Sequence, residues 1–343
     1  MRAGWRGALG ILISAGLLWF VLKDEDLGRV WQVIANSNSL LWLLCTFFAT
    51  LIFPLRARRW QALLAPTYGR LPFKPLWEAT AIGMMMNNAM GLRSGEPARA
   101  FALTRMDPRV KFTAAFASLA VDRLFDGTVV LSMMLLATLD PAFHSDQLIA
   151  GRPLSVYLGT SAVFLGMILA GALFLLFAPD ATERIIDAVA GRLMPRFAPK
   201  VHSIVDTFVQ GLRVLGSPML IAEVLFWTVV HWLCNAFAFW LAFKALGIAA
   251  PFSAGLLIQG LIAIGVAIPA GPGFFGPFEA FGIGGLATLY GVERTPAVAW
   301  ALGFHILSWI PIVVLGAMYL ARLKLSIADM RGARTSTPPA GAA

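Results

Sequence analysis

Asn87-Asn88-Ala89-Met90-Gly91-Leu92-Arg93-Ser94-Gly95-Glu96-Pro97-Ala98-Arg99 closes an apolar stretch that begins at Phe73, and the charges on either side of that stretch decide the fold. Upstream lie Arg56, Arg58, Arg59, Arg70 and Lys74; downstream lie Arg93, Arg99, Arg105, Arg109 and Lys111. Lys and Arg concentrate in the cytoplasmic loops of membrane proteins. Both flanks can be cytoplasmic only if 73–106 enters and leaves the bilayer on one face. The stretch is therefore predicted to be a re-entrant helical hairpin with its break at Gly91–Pro97.

The rest of the chain has the composition of a membrane protein. Apolar residues make up 59% of it and charged residues 13%, about half the ~25% of soluble domains. A bilayer crossing takes ~20 apolar residues. Full spans are expected at Ala8–Leu22, Ser39–Leu55, Phe112–Leu139, Leu154–Ala178, Met219–Phe243 and Ala297–Ala321. A second broken stretch, Phe252–Leu289, carries Pro269-Ala270-Gly271-Pro272-Gly273-Phe274-Phe275-Gly276-Pro277. With the N-terminus inside, the basic tail (Arg322, Lys324, Arg331, Arg334) is also inside only if 252–290 enters and leaves from the outside. This topology puts 21 of the 27 Lys and Arg residues in the cytoplasm. Lys23-Asp24-Glu25-Asp26 follows the first apolar run in place of a small-residue cleavage site, so an uncleaved span is expected there.

The predicted fold is all-α: about six full spans plus two re-entrant hairpins, eight embedded elements in one transmembrane domain over 1–331, with two complete spans as the alternative for the second, longer stretch at unchanged sidedness. Each half, about 8–139 and 154–321, reads span, span, hairpin, span, in opposite orientations. Inverted repeats with broken helices near the midplane are the build of many secondary transporters. Leu27, Trp31 and Ile34, and Val201, Ile204, Val205, Phe208 and Leu212, mark two amphipathic helices expected to lie at the interface. Residues 332–343 are expected to be a disordered cytoplasmic tail.

Ionisable groups inside a bilayer cost ~3 kcal/mol or more by insertion scales and are functional candidates by default. Asp122-Arg123-Leu124-Phe125-Asp126 sits near the middle of its span. Asp122 and Asp126 share a helix face, and Arg123 can pair with Asp126. These three residues line a polar path or form an internal ion pair. The first break offers Asn87, Asn88, Arg93, Ser94, Gly95, Glu96 and Arg99 for a lipid headgroup. Arg suits bidentate contact with phosphate. The second offers Pro269, Gly271, Gly273, Gly276 and Glu279, with Gly276 as helix cap, Pro277 at the first helical position and Glu279 in the first turn. Each break leads into a helix N-terminus, where free N–H groups and the helix dipole favour an anion; tight turns alone would also use these residues. His231 and His305 lie within spans, as packing residues or as part of the polar path. The two cysteines, Cys45 and Cys234, make neither a disulfide framework nor a metal cluster. No metal site, cofactor or nucleic-acid partner is expected, and the +9 charge belongs to topology.

The run Asn87 through Ala100, together with Asp122-Arg123-Leu124-Phe125-Asp126, Pro269 through Glu279 and Arg58-Arg59-Trp60, resembles the lysylphosphatidylglycerol synthase transmembrane-region family over about 8–322. The resemblance implies a bacterial or archaeal cytoplasmic (inner) membrane protein, both termini cytoplasmic, that moves an anionic lipid between leaflets. The aminoacyl-transferase domain of the full synthases is not expected after the last span, so no catalytic activity is expected. Two other functions fit the residues. One is a lipid-modifying membrane enzyme using Asp122 and Asp126 as acid and base. The other is a scaffold that recruits a cytosolic lipid-processing enzyme.

Overall fold

The computed structural model describes residues 4–90, 94–143, 148–149, 152–153, 155–188 in part, and 213–324. It is all-helical apart from a two-residue ladder pairing Leu148–Ile149 with Arg152–Pro153 among the described residues. The helices are α1 (Gly4–Leu22), α2 (Leu27–Ala35), α3 (Ser39–Tyr68), α4 (Phe73–Met90), α5 (Gly95–Met106) and α6 (Phe112–Ala137). They continue with α7 (Pro179–Ile186), α8 (Pro218–Ala245), α9 (Phe252–Gly265), α10 (Pro277–Tyr290) and α11 (Arg294–Arg322). The expected span Leu154–Ala178 is described only in part, and its described residues are mainly helical. The amphipathic segment expected at Lys200–Gly216 lies outside the described residues except for a 3-10 turn at Arg213–Gly216, and the tail after 324 lies wholly outside them.

Among the described residues three helices, α3, α8 and α11, are long and apolar enough to cross a membrane. α6 matches them in length with 26 residues but carries Asp122, Arg123 and Asp126. Large apolar side chains face outward on these and on α1; Leu12, Leu43 and Phe47 are among them. A surface of this kind suits lipid. α2 turns Val30 inward and Leu27 and Trp31 outward, as an interfacial helix would, and its start is capped by Asp26, which accepts from Gly28 and Arg29 N–H.

α3 overruns its expected boundary. It continues unbroken past Leu55 to Tyr68, with Pro54 and Pro66 inside it. Arg56 and Arg59, expected in a cytoplasmic loop, are therefore helical and buried. The correction has an electrostatic cause, since both guanidinium groups meet carboxylates of α6.

The remaining packing follows a rule. α3 packs on α8, α4 on α11, and α6 on α9. Exchanging α3, α4, α5 and α6 for α8, α9, α10 and α11 maps α4–α11 onto α6–α9 and α3–α8 onto itself. It also maps α4–α5 onto α9–α10 and α5–α6 onto α10–α11. Each broken pair begins and ends at one end of the bundle. Tyr68 Oη accepts from Lys111 N–H, which joins the end of α3 to the start of α6, so that α4 begins and α5 ends on that side. At the opposite end Asn38 N–H donates to Ala245 O, Ser253 Oγ to Asp140, and Arg294 to Glu25 and to Val21 O. At 1.5 Å per residue, α5, α9 and α10 are each about 18–21 Å long, shorter than a ~30 Å hydrocarbon core.

Candidate functional site

Between α3, α5, α6 and α8 lies a buried ionic cluster. One helical turn separates Arg56 from Arg59 on α3, and one turn separates Asp122 from Asp126 on α6, so each pair projects from one face. Arg59 is the hub. Its Nη1 and Nη2 donate to Asp126 Oδ1 at 2.6 Å and Oδ2 at 3.2 Å. Its Nε lies 2.6 Å from Asp122 Oδ1, without an aligned N–H, so this contact is coulombic rather than a directed hydrogen bond. Nη1 also donates to Thr228 on α8 at 3.3 Å. Asp126 further receives Arg56 Nη2 at 3.2 Å, Arg123 Nη1 at 3.2 Å and the Trp232 indole N–H at 2.8 Å.

Arg99 reaches the same cluster from α5. Its Nη1 is 3.7 Å from Asp122 Oδ2, its Nη2 donates to Arg56 O at 3.3 Å, and its guanidinium lies 4.1 Å from the Trp60 ring centre. Arg123 bridges outward to Glu96 at 3.1 Å. Its side chain is 43% exposed, whereas those of Arg59 and Asp122 are fully buried, so Arg123 and Glu96 form the open side. Four guanidinium groups face three carboxylates, leaving one excess positive charge among the described residues. The Nε atoms of Arg56 and Arg99 are buried with no hydrogen-bond partner, as are both Asp122 oxygens and Glu96 Oε2. Buried charge is tolerable only when paired and hydrogen-bonded, and this cluster carries one positive charge more than its carboxylates answer.

The first break frames that cluster. Asn87 Oδ1 accepts from Gly95 N–H at 2.7 Å, and Ser94 Oγ donates to Met86 O at 3.0 Å. Both tie the start of α5 to the end of α4. Asn88 Nδ2 donates to its own helix at Met84 O. Gly83 and Gly95 let α4 and α5 approach closely: a Cβ on Gly83 would stand 2.7 Å from Arg99 Cβ. Arg93 lies outside the described residues. His231 is buried beside Trp232.

The second break is a separate constellation. Gly273 (φ +73°) and Gly276 (φ +97°) take left-handed conformations that favour glycine. Pro269 is exposed there. Gly271 N–H donates to Ser14 Oγ of α1 at 2.9 Å. Glu279 Oε2 accepts from Gly276 N–H at 2.6 Å, closing the turn onto α10. Glu279 Oε1 meets His305 Nδ1 at 2.6 Å, and His305 Nε2 meets Gly273 O at 2.8 Å. Phe275 and Phe278 flank the imidazole, with ring centres at 4.3 and 4.2 Å.

The sequence pointed to Asp122, Arg123 and Asp126 as a group but not to Arg56, Arg59 and Trp232 as their partners. The available signal was the matched spacing of two basic residues on one helix and two acidic residues on another.

The chain also resembles UPF0104 membrane protein PH1989 of Pyrococcus horikoshii, with 23% identity over 345 residues, 93% of this chain and 98% of that protein. Residues 7–316 match the family described as the lysylphosphatidylglycerol synthase TM region. That match spans the ionic cluster and both broken helix pairs, and the chain belongs to this family, as a multi-pass membrane protein linked to lipid metabolism or transport.

Proposed function

We propose that the protein moves an anionic phospholipid between leaflets and has no catalytic chemistry of its own. The observation that carries this reading is the cluster's excess positive charge, with two buried guanidinium Nε donors unpartnered. A phosphate monoanion or diester entering past Arg123 would supply the missing charge and acceptors, while its acyl chains stay in lipid. The proposed topology makes both broken pairs re-entrant, one from each face, in an inverted repeat. Their short helices and the exchange-symmetric packing support it, as does the basic end of the bundle at Arg70, Lys74, Arg105, Arg109, Lys111 and Arg322. That end is the cytoplasmic one, and both termini lie on it, in the inner membrane. The substrate lipid is the partner the site is built for, and a lipid-processing enzyme would act before or after it.

Arg99→Lys tests the site. Lys keeps the charge but loses the planar fork and its stacking on Trp60. The expected loss is about 1 kcal/mol, some five-fold in lipid binding. The measurement is movement of labelled phosphatidylglycerol, with phosphatidylcholine as comparison, in vesicles holding equal amounts of folded wild type or variant. Equal rates for both proteins and both lipids would remove the headgroup site.

A further inference from the structure

We propose that Glu279 and His305 form a proton-binding site that latches the second break, so that loss of one proton frees the turn Gly271–Gly276 from α10 and α11. The hydrogen bonds themselves fix the proton count. Gly273 O can only accept, so His305 Nε2 carries a hydrogen. One further proton must lie between His305 Nδ1 and Glu279 Oε1 at 2.6 Å, whichever atom holds it. Without that proton two lone pairs would face each other across 2.6 Å. With one more, the carboxyl hydrogen would have to sit on Oε2, which already accepts from Gly276 N–H. The observed geometry therefore belongs to one protonation count, and a change in either direction breaks a link to the turn.

The other half of the bundle carries the same device with a permanent charge. Under the exchange that maps α5 and α6 onto α10 and α11, Glu96 and Glu279 both fall in the first turn of the second arm. Arg123 lies eleven residues after the start of α6 at Phe112, and His305 eleven after the start of α11 at Arg294. Glu96 pairs with Arg123 at 3.1 Å as Glu279 pairs with His305. Arginine cannot release its proton in a protein, whereas histidine can. One strap is fixed and its counterpart can be switched.

Little else can set the charge of the pair. Among the described residues, its ion-pair contacts are confined to Glu279 and His305. α9, and α1 over 8–22, carry no Asp, Glu, Lys, Arg or His; the facing polar group of α1 is Ser14. On α4 the ionisable groups are Lys74 and Glu78, in its first two turns. On α8, Glu223 pairs with Arg70 and Lys244 lies in the last turn, while His231 sits beside Trp232. On α3, Arg56 and Arg59 are committed to α6, and Arg58 is exposed over Phe73. Arg29 of α2 lies at the outer end. On α11 itself Arg294 and Arg322 are the two ends and Tyr319 is in the last turn. Pro269 and Pro272 are exposed at the break, which is the side from which the released proton would leave.

This inference rests on the transport reading for its purpose, as the coupling of lipid movement to a proton gradient, but its test does not need transport. Glu279→Gln mimics the single-proton state: its amide N–H₂ donates to Nδ1 and its oxygen accepts from Gly276, without a carboxyl proton to lose. Ala270, buried in the break, becomes the reporter as Ala270→Cys in the full chain with Cys45→Ala and Cys234→Ala. Its rate of reaction with a permeant maleimide is measured from about pH 5 to 9, which brackets the range in which imidazoles ordinarily change charge. Dividing by the rate in the Glu279→Gln background cancels the pH dependence of the thiol. The ratio is expected to rise about ten-fold with pH, and His305→Gln to flatten it. A ratio constant within two-fold, or no reaction in any background, would make the pair a static tether. Lipid movement without a change in the ratio would reject the proton site alone; a changing ratio without lipid movement would reject transport alone.

Discussion

Asp126→Asn probes the cluster most sharply, because one carboxylate answers three guanidinium groups. The change removes the charge partner of Arg56, Arg59 and Arg123 at 2.6–3.2 Å and raises the excess positive charge from one to two. Breaking a buried ion pair by deleting one partner costs about 3–5 kcal/mol, a large share of the 5–15 kcal/mol typical of folded proteins. The variant should be poorly folded. Which second change rescues it depends on which arginine is left unanswered. Arg59 is fully buried and doubly bonded to Asp126, whereas Arg123 is 43% exposed and keeps Glu96. Exposed pairs are worth about 0–1 kcal/mol. A double-mutant cycle should give a coupling of about 2–3 kcal/mol for Arg59 with Asp126 and below about 1 kcal/mol for Arg123 with Asp126. Rescue by Arg59→Gln should be partial, because Arg59 also faces Asp122. The assay is unfolding in mixed detergent micelles, with lipid movement measured on the folded fraction. If Arg123→Gln rescues Asp126→Asn as well as Arg59→Gln does, Arg59 is not the hub and the account of the cluster fails.

Two further outcomes follow from the ends of the bundle. Single cysteines at Arg105 and Glu293, in a background lacking Cys45 and Cys234, should react with an impermeant thiol reagent from opposite faces, Arg105 from the cytoplasm; labelling of both from one face would overturn the proposed topology. Arg109 donates to both oxygens of Asp107, at 2.9 and 2.6 Å, and holds that carboxyl below its usual range. The depressed folded value means the contribution is present above the unfolded carboxyl pKa of ~3.9 and disappears as pH falls through the folded value. Asp107→Asn should therefore destabilise slightly at neutral pH, with the difference gone in strong acid; a difference that persists there would assign the effect to packing.

What could be read in the sequence divides by physical range. Helix positions were legible because spanning length and apolar runs are local properties: Phe73–Met90 was expected with the bounds observed, and Met219–Phe243 and Ala297–Ala321 within a few residues of them. The end of α3 was not, because positive-inside counting weighs an arginine by its type and not by its partner. Arg56 and Arg59 counted as loop charges until Asp122 and Asp126, more than sixty residues on, were seen to neutralise them. Repacking that burial into a loop would strand two carboxylates on α6, so the helix continues where the charge pattern alone would stop it. The pairing of Glu96 with Arg123 and of Glu279 with His305 was hidden for a related reason. Neither spacing in sequence means anything until the helix starts at Phe112 and Arg294 are known, and only then does each basic residue fall at the same height. Halves related in this way need not share residues, only positions. Under the proton site proposed above, arginine in one half and histidine in the other would let the two sides of the bundle respond differently to the same proton gradient.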